Sequence, residues 1–161
     1  MSKADMFLSV TGQKTGLIKG ESDDQQHKDE IDVLGWSWGI SAQQQIGGGG
    51  PAGKAVLKEL HLQKYVDRAS TALMSMTRTN EIIKKAVLAV RKAGTTQQEY
   101  FKLTIEKGRI TSYDVRAPES PANPKMVELL NFSFQKIEVE YRVQGADGQL
   151  LGSSLYSDEI G

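Results

Sequence analysis

The chain has 161 residues, in which 20 Lys and Arg residues balance 20 Asp and Glu residues, and it contains no cysteine. This length suits one domain with its own core, and we expect residues 1–161 to form a single domain. Balanced charge gives no net field to attract nucleic acid or an anionic membrane, and the lack of cysteine excludes thiol catalysis and disulfide bonds.

The N-terminal segment reads Met-Ser-Lys-Ala-Asp-Met-Phe-Leu. Asp5 interrupts the apolar run that a signal peptide requires, and no part of the sequence approaches the roughly 20 apolar residues of a membrane span. We therefore expect synthesis in the cytoplasm and no membrane insertion. If the protein is exported, we expect a route that reads no N-terminal signal.

Alternation of apolar residues with other residues, which is typical of half-buried strands, dominates the chain. Two slips of phase interrupt it, one between Val33 and Leu34, which predicts a bulge, and one near Gln135. Asp147-Gly148 predicts a hairpin turn before the last strand. The predicted strands lie, in chain order, at Met6–Val10, Leu34–Ile40, Val56–Val66, Leu88–Val90, Phe101–Ile105, Tyr113–Val115, Leu130–Phe134, Ile137–Val143 and Leu150–Tyr156.

One segment reads as a helix. Its apolar residues run from Ala72 to Met76 and carry it to about Thr79, and Ser70 or Thr71 could cap its start. We find no internal repeat and no linker. The sequence therefore predicts a mainly β chain, a barrel or a sandwich, with one helix packed on it.

Both tryptophans of the chain lie in one predicted strand. Trp36 and Trp38 are two residues apart and so share a face of that strand. The opposite face carries only small residues, where an ordinary half-exposed strand would carry long charged side chains: Gly35, Ser37, Gly39 and Ser41. The pattern predicts one packed apolar face and one face kept free of bulk.

A glycine-rich stretch follows and partly matches a phosphate-binding P-loop. Ala55 stands where a Ser or Thr should hold magnesium, Pro51 lacks a backbone donor, and a strand pattern follows instead of a helix. We therefore predict a flexible loop that becomes ordered against another protein surface, built from Gly47, Gly48, Gly49, Gly50, Pro51, Ala52 and Gly53.

The sequence gives little support for catalysis or for a metal site. His27 and Glu30 have the spacing of two ligands on a helix, but the other histidine is distant and a firm site needs three or four ligands. Ser37 has no neighbouring base, and no nucleophile elbow is present. Scattered carboxylates leave a two-carboxylate hydrolase open, although nothing positions such a pair. We predict no enzymatic activity, no metal and no cofactor.

Charges cluster in two segments of opposite sign. Residues 21–32 are acidic, and residues 84–92 are basic with no interleaved aromatic residue, so a nucleic-acid groove is not favoured. A solvated face is the simplest interpretation of each segment. Alternatively, the two segments could meet between neighbouring subunits of a head-to-tail ring, with Glu30, Asp32, Lys85 and Arg91 as the candidate interface charges.

Several strings resemble one family, and they cover nearly the whole chain in one order. The chain resembles the Hcp family, the haemolysin-coregulated proteins of the bacterial type VI secretion system. The most specific strings are Glu-Ile-Asp-Val-Leu-Gly-Trp-Ser-Trp-Gly and Arg-Lys-Ala-Gly. The others are the glycine-rich loop, Lys64-Tyr65-Val66-Asp67-Arg68, Glu99-Tyr100, Leu130-Asn131-Phe132 and Ile137-Glu138-Val139-Glu140-Tyr141.

The resemblance implies a closed β-barrel of two packed antiparallel sheets with one short α-helix on its side. It further implies homohexameric rings that stack into the inner tube of a contractile secretion machine, with sheath, spike and baseplate proteins as partners. Small effector proteins would travel in the lumen, and the protein would leave the bacterial cytoplasm without a signal peptide.

The resemblance makes four small residues candidates for the wall of the lumen: Gly35, Ser37, Gly39 and Ser41. Ser37 is the candidate for contact with cargo. Residues 47–53 become candidates for contact with the neighbouring ring. Two segments depart from the family pattern, Thr11–Gly16 and Thr77–Glu81. The alternative interpretation keeps the β-barrel as a monomeric module that binds a ligand or a peptide.

Overall fold

The computed structural model describes residues 5–42, 54–92, 98–119, 122, 125–144 and 150–160. The predicted loop at residues 47–53 and the predicted turn at Asp147-Gly148 lie outside these residues. Within them the chain is mainly β with one short helix. The elements are β1 (Met6–Gly12), β2 (Gly16–Leu17), β3 (Ile31–Asp32), β4 (Gly35–Ser37), β5 (Ile40–Ser41), β6 (Val56–Leu57), β7 (Leu60–Tyr65), α1 (Ser70–Thr79), β8 (Ile83–Arg91), β9 (Glu99–Arg116), β10 (Val127–Ser133), β11 (Lys136–Gln144) and β12 (Leu150–Glu159).

The strands form two antiparallel sheets that share β9. The first sheet has the order β2-β1-β8-β9-β11-β12, with β3 also paired to β1. The second sheet has the order β4-β7-β10-β9. A separate pair joins β5 to β6. Among the described residues, no hydrogen-bonded pairing joins β4 to another edge, so the ladders by themselves do not close a barrel.

β9 passes from the first sheet to the second at a bend. Lys107 has a φ of 54°, and a Cβ on Gly108 would lie 2.3 Å from the carbonyl oxygen of Ser133. Glycine is required there because the backbone of β10 approaches so closely. The two strands predicted at Phe101–Ile105 and Tyr113–Val115 are therefore one 18-residue strand, and their separation was wrong.

The two phase slips have the same cause. The amide of Val33 donates to Met6 of β1, whereas the amide of Leu34 donates to Gln63 of β7. The chain thus changes sheet between Val33 and Leu34, and the predicted bulge was wrong. Near Gln135, β10 of the second sheet ends and β11 of the first begins. A change of partner strand inverts the phase because the buried face is then on the other side of the chain.

Helix α1 has the predicted extent, but its predicted cap was wrong. Ala69 is the N-cap residue, and it makes no side-chain capping bond. The hydroxyl of Ser70 instead accepts a hydrogen bond from the amide of Asp67 at 2.9 Å and donates to Glu128 at 2.8 Å. Asn80 ends the helix in the left-handed conformation, with a φ of 58°, which asparagine tolerates better than most residues.

One hydrophobic core lies between the two sheets and beneath α1. Its side chains come from both sheets and from the inner face of the helix, so the core joins the parts that the ladders leave separate. The large apolar residues that are at most 1% exposed include Leu8, Ile31, Leu60, Leu73, Met76, Ile83, Leu88, Leu103, Ile105, Leu130, Phe132 and Ile137.

The two segments that were expected to depart from the family pattern contact each other. Residues 12–16 form the turn between β1 and β2, and the carboxylate of Glu81 accepts hydrogen bonds from the amides of Lys14 and Thr15 at 2.9 and 2.8 Å. The bond from the Thr15 amide, with others from the Thr15 hydroxyl and the Lys14 amide, lowers the pKa of Glu81. This carboxylate therefore fastens the turn to the end of α1.

Candidate functional site

The solvent face of the second sheet is the candidate site. Its residues form two rows that run across all four strands in register, and neither row carries a long basic side chain. The first row is Gly35, Gln63, Leu129 and Asp114, and the second is Ser37, His61, Asn131 and Ser112. These residues line an open groove of about 550 Å³.

The side chain of Trp36 shares a face of the sheet with the buried Leu62, on the side opposite Ser37. Trp36 stacks on Phe101 with a centroid distance of 5.2 Å, and both tryptophans pack against the core. The indole of Trp38 donates to the carbonyl oxygen of Lys58 at 2.9 Å. Leu34 and Ile40 alternate with the tryptophans along the predicted strand Leu34–Ile40 and were expected to share their face, but they are 39% and 49% exposed. The apolar face is therefore shorter than predicted.

The four small residues predicted to share a face do not lie on one strand. Gly35 and Ser37 belong to β4 in the second sheet, whereas Ser41 belongs to β5, which pairs with β6. Gly39 connects the two strands, and its carbonyl oxygen accepts a hydrogen bond from Lys58. Gly35 and Ser37 therefore lie at the groove, and Gly39 and Ser41 lie beyond it.

Packing within the subunit does not require these positions to be small. A Cβ on Gly35 would have the side chain of Gln63 as its nearest neighbour at 3.8 Å, and one on Gly39 would have Lys58 at 3.6 Å. Both are ordinary van der Waals distances. The reason for an uncrowded face must then lie outside the described contacts of a single chain.

Polar groups concentrate in the second row of the groove. The imidazole Nδ1 of His61 lies 2.5 Å from the amide oxygen of Asn131. At the edge of the groove, the hydroxyl of Thr111 donates to Glu59 at 3.1 Å, and that of Ser112 donates to Asp114 at 3.2 Å. The groove can therefore form hydrogen bonds with a polypeptide.

Both lateral edges of the second sheet lack a strand partner within the described residues. β4 pairs only with β7 on its inner side, and residues 109–116 of β9 pair only with β10. Open edges of this kind are templates for pairing with another chain.

A buried charged network lies directly behind the groove. Lys64 and Glu128 are each 0% exposed and stand opposite each other in the β7–β10 register, with their side chains in contact. The ammonium of Lys64 also contacts Asp67 at 2.9 Å. Ser70 and Tyr113 both donate hydroxyl hydrogen bonds to the carboxylate of Glu128. This network was not among the predicted features, although Lys64 continues the inward alternation of Leu60 and Leu62, which could have indicated a buried cation.

The predicted interface charge of Arg91 is used within the subunit. Its side chain is 0% exposed because it packs on Phe7 and is covered by the segment that carries Asp24 and His27, on the face of the first sheet away from the core. Its guanidinium contacts Asp24 at 2.5 Å and Asp5 at 3.6 Å, and lies over the ring of Phe7. The hydrogen bond from Arg91 lowers the pKa of Asp24 to about 2, and Asp24 in turn raises the pKa of Arg91. Arg91 is therefore not an exposed interface charge.

The other three interface candidates have different surroundings. Glu30 lies 3.1 Å from Nδ1 of His27, whose ring stacks on Phe7, so it is also occupied within the chain. Asp32 is exposed on β3, and partial burial of its carboxylate, followed by the nearby Asp23 carboxylate, raises its pKa. Lys85 is exposed on β8 opposite Glu106. Asp32 and Lys85 remain available to a partner.

Three further predictions concern the stacking loop, a metal site and a membrane span. The candidate stacking loop at residues 47–53 lies outside them. In the described ranges, no group of three or more His, Asp or Glu side chains is arranged to hold a metal ion. No helix in the same ranges has the length and apolar character needed to cross a membrane.

Comparison with known proteins identifies the family. Residues 7–141 match the family described as "Type VI secretion system effector, Hcp". The chain is 37% identical to Protein hcp1 of Pseudomonas aeruginosa over 147 residues, which cover 89% of this chain and 86% of that protein.

Solved structures agree. A type six secretion system protein, 21% identical, superimposes with a TM-score of 0.84 over 96% of both chains. A type VI secretion system effector from Yersinia pestis, 28% identical, gives a TM-score of 0.75 over 97% of this chain and all of that one. The fold, the matched profile and the relatives agree, and the chain belongs to the Hcp family of non-enzymatic type VI secretion tube proteins.

Proposed function

We propose that six copies of this chain form a ring, that rings stack into the secretion tube, and that the second sheet forms the wall of the lumen. The observation that carries the proposal is the groove face, whose two rows carry no Lys or Arg and which keeps glycine at position 35 although Gly35 has room for a side chain. A channel that passes protein cargo gives a reason for that face. We also infer that the core closes the two sheets into the tight barrel typical of the family, as one domain over residues 1–161.

The strand directions of the second sheet support a head-to-tail ring. Its four strands alternate in direction, since every pairing from β4 to β9 is antiparallel. Because the number of strands is even, the open edge of β4 and the open edge of β9 in the next subunit also run antiparallel. Pairing of these edges would continue one sheet around the ring and remove both open edges.

The groove supports carriage of small effector proteins. Its Ser, Asn, Gln and His side chains offer donors and acceptors to a polypeptide surface, and the exposed Leu129 adds one apolar contact. Ser37 lies on the edge strand β4 of this wall, and we assign it a contact with cargo. Residues 47–53 contact the adjacent ring, and sheath, spike and baseplate proteins are the further partners, as in the tube-forming members of the family. The type VI secretion system then exports the protein from the bacterial cytoplasm.

Engineered disulfides test the ring directly, because the chain has no cysteine of its own. Ser37→Cys and Ser112→Cys lie three strands apart within one subunit, about 14 Å, which is too far for an intrachain disulfide. Head-to-tail pairing brings Ser37 close to Ser112 or Asp114 of the neighbour. Oxidation of Ser37→Cys/Ser112→Cys, or of Ser37→Cys/Asp114→Cys, should give a ladder of covalent species that ends at six copies.

The corresponding control is Ser37→Cys alone, which should give no ladder beyond the dimer. Native mass should equal six times the 17.7 kDa chain mass. A monomeric mass together with no ladder from either pair would reject the ring and favour the monomeric binding module, for which the groove would be the ligand site.

Cargo carriage needs a separate test. Ser37→Trp should leave the ring intact and reduce the amount of effector that co-purifies, because the indole would occupy the lumen. Ser157→Trp is the matched control on the solvent face of the first sheet, opposite Glu138. Equal cargo with both variants would reject the assignment of Ser37.

A further inference from the structure

We infer that the buried Lys64–Glu128 pair fixes the register of β7 against β10, and thereby the positions of the groove residues, instead of serving mainly to stabilise the fold. Both strands belong to one chain, so their register does not depend on ring assembly.

The sequence of the two core faces explains why a register device is needed. The inward residues of β7 are Leu60, Leu62 and Lys64, and those of β10 are Glu128, Leu130 and Phe132. A slip of one residue would turn these faces outward, so the hydrophobic pattern excludes it. A slip of two residues keeps the same side chains inside and places one apolar residue against another, so the pattern alone excludes it poorly.

The charged pair distinguishes the native register from the two-residue slips. In the native register Lys64 lies opposite Glu128. A slip of two residues in one direction would place Lys64 opposite Leu130 and Glu128 opposite Val66, and a slip in the other direction would place Lys64 opposite Met126 and Glu128 opposite Leu62, so either slip leaves both charges opposite apolar residues. Both side chains are 0% exposed in the native register, so the strands bury both charges there. A buried charge without its partner is strongly unfavourable.

The solvent face offers no comparable constraint. The groove residues of these two strands are polar or exposed: His61, Gln63, Leu129 and Asn131. Apart from the backbone ladder, the hydrogen bond between their side chains is the one from His61 to Asn131. Strands with a weakly patterned face are those in which register is poorly specified. The interactions that fix the positions of the groove residues therefore lie on the buried side of the sheet.

The remaining members of the network make the pair specific for one geometry. Glu128 also accepts from Ser70 at the start of α1 and from Tyr113 of β9, and Lys64 also contacts Asp67. A slip of β10 would break contacts with three other elements at once. Four residues thus act on the groove through the strand register and not by contact, because none of them lines it: Lys64, Glu128, Ser70 and Tyr113. They are positioning residues.

A disulfide ruler measures the register. Gln63→Cys/Leu129→Cys joins residues that lie directly opposite in the native pairing, whereas Gln63→Cys/Asn131→Cys and Gln63→Cys/Val127→Cys report slips of two residues. All three pairs lie on the groove side of the sheet. With the native Lys64 and Glu128, the native pair should form at least about tenfold more intrachain disulfide than either shifted pair, because diagonal neighbours lie too far apart.

The decisive background is Lys64→Met/Glu128→Leu, which removes both charges and leaves an apolar pair. The ratio of native to shifted disulfide should fall to within about threefold. Lys136→Met/Glu106→Leu is the matched control, because those residues also stand directly opposite on neighbouring strands, 3.5 Å apart, but are half-exposed in the first sheet. In that control the ratio should stay at its wild-type value.

A ratio that stays tenfold in the folded Lys64→Met/Glu128→Leu background would overturn the inference. If that variant does not fold, Lys64→Met/Glu128→Gln keeps an acceptor for Ser70 and Tyr113 and is read in the same way. Failure of both variants to fold beside a folded control would also overturn it, because the pair would then be needed for stability itself.

Discussion

The solvent faces of the two sheets differ in kind. On the first sheet, one row across four strands alternates in charge, from Lys85 through Glu106 and Lys136 to Glu159. On the second sheet, the central row reads Ser37, His61, Asn131 and Ser112. The charged row of the first sheet is typical of a half-exposed sheet face in contact with water, and its pairs of opposite charge contribute little to stability.

The buried sides of the two sheets show the opposite distribution of charge. Behind the bare face of the second sheet lies the fully buried Lys64–Glu128 pair, and behind the middle of the charged row lie apolar residues such as Ile105 and Ile137. The second sheet therefore has Asp114 but no Lys or Arg in the two groove rows, and it pairs Lys64 with Glu128 on its buried side. This difference indicates that its solvent face meets something other than water, as the proposed lumen does.

The largest expected effect breaks the buried pair on one side. Lys64→Met leaves the carboxylate of Glu128 buried without a cation, and it should lower the free energy of unfolding by about 3–5 kcal/mol. Lys136→Met removes the matching cation from the first sheet, where the contact is half-exposed, and should cost less than about 1 kcal/mol. Urea unfolding of both variants measures the difference. Similar losses would contradict the contrast between the two sheets.

The next effect concerns the bend that joins the sheets. Gly108→Ala would place a Cβ 2.3 Å from the backbone of Ser133, so the strands must separate, at a cost of about 1–3 kcal/mol. Gly35→Ala on the groove face has its nearest neighbour at 3.8 Å and should change stability by less than about 0.5 kcal/mol. Thermal unfolding compares the two. A large loss in Gly35→Ala would show that the bare face is required by packing.

Acid should weaken the first sheet through Asp24. Its pKa of about 2 in the folded chain lies below the ordinary value of 3.8 because Arg91 of β8 donates to it. The stabilisation is therefore fully present above about pH 4 and is lost as the pH falls towards 2. Asp24→Asn should remove about 1–2 kcal/mol at pH 6 and flatten the pH dependence in this window.

The unfolding midpoint in urea at a series of pH values between 6 and 2.5 measures this effect. Asp158→Asn serves as the control, since Tyr156 also lowers the pKa of Asp158 but on the exposed surface of β12. An unchanged slope in Asp24→Asn would contradict the assignment.

The smallest effect lies where the chain leaves α1 for the first sheet. Asn80 has a φ of 58°, so Asn80→Ala should cost about 1 kcal/mol, whereas Asn80→Gly should be neutral or slightly stabilising. Differential scanning calorimetry resolves this difference. Equal melting temperatures for the two variants would show that the left-handed turn stores no strain.

Local patterns were sufficient for part of this molecule. The opposed faces of Trp36 and Ser37 and the extent of α1 follow from side-chain period alone, and the structure confirms both. The change of sheet at Val33 and Leu34 did not follow, because a period of two looks the same at a bulge and at a change of partner strand. Lys64 and Glu128 are 64 residues apart, so their pairing depends on the fold and on no local signal.

The shared strand β9 has a mechanical consequence. Its residues 99–108 are hydrogen-bonded in the first sheet and its residues 109–116 in the second, with covalent backbone between them. A shear force on one sheet therefore reaches the other through peptide bonds as well as through contacts between side chains. In a tube that is driven forward by its surroundings, that continuity would let the wall and the outer surface of each subunit move as one body.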